Sequence, residues 1–135
     1  MNTTEKKAME ENFRAIWKEA YEAGLAAGKG SNPAPMIVGE AKSFFSNEID
    51  TTKPTYFVSE GCCGFAWIVV RPGNSPFARW ATKNKNARPE YGGGTCVYWV
   101  GEFNQSMDRK ESFAYAFTDV LKKHGIKAYS KSRMD

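Results

Sequence analysis

The sequence predicts an α+β fold: a long N-terminal helix, a mostly antiparallel sheet and two further helices, in a single domain over residues 1–135. Three observations predict it. Apolar residues recur at spacings of three and four near the N-terminus and again after residue 108. Short runs rich in β-branched and aromatic residues lie between these segments. Turn and cap residues separate the elements into the order helix, strands, helix, strand, helix, strand. A chain of 135 residues can bury a core without disulfides or a metal.

The first helix is expected over residues 4–28. Thr4 serves as its N-cap, and Met9, Phe13, Ile16, Trp17, Ala20 and Gly24 form one apolar stripe. Its end, GLAAGKG, is small enough for close packing, against the core or a second copy of the helix. Gly28, Gly30, Pro33 and Pro35 then break the helix, so residues 30–35 read as a linker and residues 36–135 as the sheet with its helices. Met36–Val38 starts a short strand, and residues 40–53 have no period. Tyr56–Val58 and Gly64–Val70 read as strands. The second, GFAWIVV, is apolar on both faces and is expected at the centre of the sheet.

Arg71-Pro72-Gly73-Asn74 is a turn. Ser75 caps a short helix ending near Asn84, with Pro76 at its first position, where a missing N–H costs nothing. Residues 84–94 form a loop and Thr95–Val100 a strand. Asp108 and Glu111 mark the start of the last helix, whose buried face is Phe113, Phe117, Val120 and Leu121. Lys122, Lys123 and His124 suit its C-terminal dipole, and Gly125 with Ile126 suits a glycine cap. Ile126–Tyr129 reads as the final strand.

The blocks CGFAWIVVRPGNSPFARW, YGGG, FNQSMDRKESFAYAF and HGIKAYSKSRMD cover most of residues 61–135. They resemble small conserved proteins of tailed phages and prophages. The resemblance implies a phage origin and a place in the host cytoplasm. It carries over no catalytic or binding residues. By size and charge the chain is also similar to small early proteins of N4-like phages that bind single-stranded DNA and assist transcription.

Charge is uneven. Residues 1–60 hold seven Lys/Arg against nine Asp/Glu, and residues 61–135 hold twelve against six. Within the second half, residues 71–94 combine Arg71, Arg79, Lys83, Lys85 and Arg88 with the aromatics Trp80 and Tyr91. Cations that follow phosphates and aromatic faces that stack bases are the two requirements for holding single strands. Lys127, Lys131 and Arg133 extend the track, and one of Tyr98 or Trp99, which point to opposite faces of a strand, joins the stack. The expected function is therefore single-stranded nucleic-acid binding in phage DNA metabolism or transcription. A homo-oligomer is expected, because repeating a modest site raises avidity. The alternative is a host-takeover protein that binds a bacterial protein such as RNA polymerase, since excess Tyr and Trp anchor interfaces.

No enzyme is expected, and no cofactor or metal. The single histidine, His124, sits at a helix end. Cys62 and Cys63 read as small buried thiols, with no Cys-x-x-Cys pair and no base of obvious reach. Gly92-Gly93-Gly94 precedes a strand and lacks the spacing of a phosphate-binding loop. No run approaches the roughly 20 apolar residues of a membrane span. The opening MNTTEKKAMEENF lacks the apolar centre of a secretory signal, which again points to a cytosol.

Overall fold

The computed structural model of the chain describes residues 2–33 and 61–135 in full and the backbone of residues 36–39 and 55–58. The unreadable segment 40–53 and part of the 30–35 linker lie outside the described residues. Helix α1 spans Thr3–Gly30. Its N-cap is Asn2 and not Thr4: the Asn2 side chain accepts from the Glu5 N–H at 2.8 Å, and the Glu5 carboxylate accepts from the Asn2 N–H at 3.4 Å. This reciprocal box satisfies two of the orphan donors of the first turn. The stripe Phe13, Ile16, Trp17, Ala20 and Gly24 is buried as its spacing requires, and Gly28 extends it.

Strands β1 (Met36–Gly39) and β2 (Thr55–Val58) pair antiparallel with each other. The main sheet contains β3 (Gly64–Val70), β4 (Arg88–Pro89), β5 (Thr95–Trp99) and β6 (Ala128–Met134) in the order β4-β5-β3-β6. All its pairings are antiparallel. Strand β3 is central, as its apolar run predicts. A register shift between Ile68 and Val69 marks a bulge against β5.

Helix α2 spans Pro76–Asn84, and the Ser75 hydroxyl accepts from the Ala78 N–H as expected. Helix α3 spans Met107–Lys123 and begins earlier than Asp108 implies, because Ser106 is its cap. Its C-terminus follows the glycine-cap expectation closely. Gly125 has φ of 79°, its N–H reaches the Lys122 carbonyl at 2.9 Å, and the Ile126 N–H reaches Leu121 at 3.0 Å. His124 closes the helix and pairs with Glu19 on α1 through Nε2 at 2.9 Å.

All three helices lie on one face of the main sheet. Phe13, Ile16 and Trp17 of α1, Phe77 and Trp80 of α2, and Phe113, Phe117 and Leu121 of α3 join Ala66, Ile68, Val70 and Val97 in one core. The small end of α1 packs against α3 and its preceding loop, where Gly24 meets the Phe113 ring and Gly28 the Phe103 ring. The guanidinium of Arg109 donates to the Gly28 and Lys29 carbonyls at 2.9 and 3.1 Å, which adds to the Ser31 N–H in satisfying the last acceptors of α1. A Tyr21–Glu102–Tyr98 chain closes the same region, with both hydroxyls donating to the Glu102 carboxylate at 2.9 and 2.7 Å. Burial first, and Glu102 second, push the Tyr98 hydroxyl far above its ordinary pKa.

Candidate nucleic-acid interface

The opposite face of the main sheet carries no helix among the described residues. Alternation decides what it shows. Along β3, Ala66, Ile68 and Val70 point to the core, so Phe65, Trp67 and Val69 point outward. Trp99 of β5 stands opposite Trp67, and Tyr129, Lys131 and Arg133 of β6 stand opposite Val69, Trp67 and Phe65. The result is an aromatic row with cations along it.

The row is ordered by ring contacts. Trp67 and Trp99 stack with centroids 4.7 Å apart and planes at 11°. Phe65 leans on Trp99 at 5.7 Å. The Arg133 guanidinium lies 5.3 Å from the Phe65 centroid, while Arg71 and Lys131 flank the Tyr129 ring at 4.9 and 5.8 Å. Trp99 remains 39% exposed and Tyr91, at the rim, 96%. A shallow depression of about 530 Å³ runs over this face and is lined by Trp67, Trp99, Cys96, Arg88, Lys131 and Arg133 among others.

One acid sits in this cationic surface. Glu90 accepts from the Trp67 indole N–H at 2.6 Å and from the Tyr91 N–H at 3.0 Å, which fixes the plane of Trp67. Burial, with Glu90 adding to it, pushes the neighbouring Cys96 thiol above its ordinary pKa. The glycine turn closes the β4–β5 hairpin. Glu90 and Gly94 bond at 3.0 Å, Gly93 donates to the Glu90 carbonyl at 3.1 Å, and Arg71 donates to the Gly92 and Gly93 carbonyls. Gly94 has φ of +87°, and a Cβ there would meet the Val70 carbonyl oxygen at 2.8 Å, so only glycine fits. The turn offers carbonyls to an arginine and so differs from a nest of N–H groups around an anion.

Nine of the ten residues singled out in the sequence fall into two groups. Arg71, Arg88, Tyr91, Lys131 and Arg133 gather on the open face or its rim. Arg79, Trp80, Lys83 and Lys85 belong to α2 and its end, on the helix-covered side, and Lys127 lies exposed in the turn before β6. Trp80 is the clear correction. It is 5% exposed and packs against Phe13, Trp17 and Phe77, so it has no face to offer a base. Lys85 lies over the Trp17 ring at 5.4 Å. Of the Tyr98/Trp99 pair, Tyr98 turns inward onto Phe113 and Phe117, and Trp99 turns outward.

Phe65, Trp67 and Tyr129 belong to the open face although the basic loop drew attention elsewhere. Their signal was present as period-2 spacing, F-x-W-x-V in β3 and Y-x-K-x-R in β6. The thiols also differ from expectation: Cys63 is exposed and Cys62 half-buried. No group of three metal-ligating side chains occurs among the described residues, and no described helix is long and apolar enough to cross a membrane. The chain matches no family model, no curated protein and no solved structure.

Proposed function

We propose that this protein binds single-stranded nucleic acid on the open face of its main sheet. The observation that carries the reading is the alternation of stacked rings and cations on one surface that no described element covers: Phe65, Trp67, Trp99 and Tyr129 with Arg71, Arg88, Lys131 and Arg133. Bases stack on the aromatic faces and the cations neutralise phosphates, a mode that tolerates sequence. In a duplex the bases already stack on each other and expose only edges, so such a face prefers single strands. The resemblance of residues 61–135 suggests a phage origin and the host cytoplasm as the setting, and the likeness in size and charge to N4-like early proteins suggests a role in phage DNA metabolism or transcription.

The test is fluorescence anisotropy with labelled single- and double-stranded oligonucleotides at low and moderate salt. The expected result is preference for the single strand, with affinity falling as salt rises. Trp99→Ala should weaken binding by about 5- to 150-fold, since stacking is worth about 1–3 kcal/mol per base. Lys83→Glu and Lys85→Glu should change it little, because those side chains lie on the other side of the molecule. Equal affinity for duplex, or binding unaffected by Trp99→Ala, would overturn the assignment.

A further inference from the structure

Arg79, Trp80 and Lys83 do not reach the open face, yet they form a surface of their own. Between the start of α1 and the outer side of α2 lies a groove of about 390 Å³. Met9, Pro76 and the edge of Trp80 give it apolar walls, and Lys6, Arg79 and Lys83 surround it with positive charge. Among the described residues Glu10 is the single acid lining it, so those residues give the groove an excess of two positive charges. Arg79 spends its Nε–H on the Asn74 carbonyl at 2.8 Å. Among the described residues none of the three cations is paired with an acid.

A second observation concerns Trp80 itself. The indole N–H of Trp80 is buried and has no acceptor among the described residues. A buried donor without a partner is costly and uncommon. On the open sheet face the Trp67 indole N–H is held by Glu90, while the Tyr129 hydroxyl is buried without a partner among the described residues. Apolar walls, a cationic rim and a waiting N–H donor are together complementary to a segment that bears carboxylates beside an apolar side chain.

We propose that this groove is a docking site for an acidic peptide segment of a partner protein. A carboxylate between Arg79 and Lys83 supplies the acceptor that the Trp80 indole lacks, and an apolar side chain rests on Met9 and Pro76. The groove lies on the helix-covered side, so a partner held there leaves the open sheet face free. The inference stands independently of what the sheet face binds.

The probe is a short fluorescein-labelled peptide of Asp, Leu and Phe, followed by anisotropy and by indole N–H resonances of the isotope-labelled protein. The chain has four tryptophans, and Trp→Phe variants at 17, 67 and 99 assign their signals. The expected result is saturable binding that moves the Trp80 indole proton downfield and leaves the Trp67 and Trp99 signals in place. Lys6→Glu with Arg79→Glu and Lys83→Glu should weaken the peptide by about tenfold or more and leave oligonucleotide binding within about twofold. All three side chains are exposed, so the fold tolerates the reversal. The proposal fails if the Trp80 signal does not respond to the peptide, or if the triple reversal leaves peptide affinity unchanged. It also fails if an oligonucleotide moves the Trp80 signal and requires the same three cations, because the groove then belongs to a phosphate track.

Discussion

Glu90 is the residue on which the character of the open face turns. It fixes Trp67 by a 2.6 Å hydrogen bond and places a negative charge in a surface otherwise suited to phosphate. Glu90→Gln keeps an acceptor for the indole and removes the charge. It should therefore tighten oligonucleotide binding, by roughly two- to fivefold if the repulsion is that of a partly exposed pair. Weaker binding would show that the carboxylate matters more as a clamp on Trp67 than as a charge. Cys96 gives a second readout at this scale. Burial raises its thiol pKa, Glu90 adds to the rise and Arg88 opposes it. At about pH 8 less thiolate is present than in an ordinary cysteine, so alkylation is slow and quickens only as pH climbs past the usual thiol range. In a Cys62→Ser, Cys63→Ser background, Glu90→Gln should accelerate alkylation at that pH, and a bound single strand should shield Cys96. A rate indifferent to the oligonucleotide would place the ligand elsewhere.

At the scale of elements, punctuation was legible and pairing was not. Ser75-Pro76 and Gly125-Ile126 fix helix ends by local chemistry, and both act as their types require. Thr4 lost to Asn2 because a side chain earlier in the chain, with Glu5 three positions on, forms a complete box. Strand β6 runs to Met134 and not to Tyr129, because pairing with β3 holds a polar segment that has no apolar period of its own. The apolar run of β3 gave its central place in the sheet but not the use of its two faces: helices pack on one, and the aromatics of the other form the candidate interface. Packing between elements yields its own prediction. A Cβ at Gly24 would lie 2.9 Å from the Phe113 ring, which is itself fully buried. Gly24→Ala gains helix propensity but forces that ring to shift, so a net loss of about 1–3 kcal/mol in denaturant unfolding is expected. The α1–α3 tie through Glu19 acts differently. Its carboxyl pKa is lowered by Lys123 first and His124 second. A lowered folded-state pKa stabilises the fold above the ordinary carboxylate range, and the effect disappears as pH falls through the depressed value. The melting temperature of Glu19→Gln should therefore lie slightly below that of the parent near neutral pH and converge with it as the carboxylate protonates in acid. Because the pair is exposed, added salt should shrink the difference.

The molecule as a whole divides its tryptophans between two tasks. Trp17 sits where the helices and sheet meet, with ring contacts to Phe77, Trp80, Tyr98 and Phe117. Trp99 lies across the sheet, stacked on Trp67 and open to solvent. Composition could not assign them, because the same indole serves a core or a platform and only strand register and helix face decide which. One continuous core predicts one cooperative transition. Trp17→Ala should cost about 3–5 kcal/mol, a large part of the 5–15 kcal/mol typical of a domain, with secondary structure and core fluorescence lost together. Trp99→Ala should lower the midpoint much less than Trp17→Ala and remove most single-strand affinity. The cations of the open face scale the rest. If Arg71, Arg88, Lys131 and Arg133 each neutralise a phosphate, log affinity falls against log salt with a slope of about −3, from about −0.7 per phosphate on a single strand. Replacing Lys131 and Arg133 together should reduce that slope by about half while the unfolding midpoint stays in place. A slope that persists in the double variant would mean that other cations carry the phosphates, and the stacking row alone would then have to account for preference between strands.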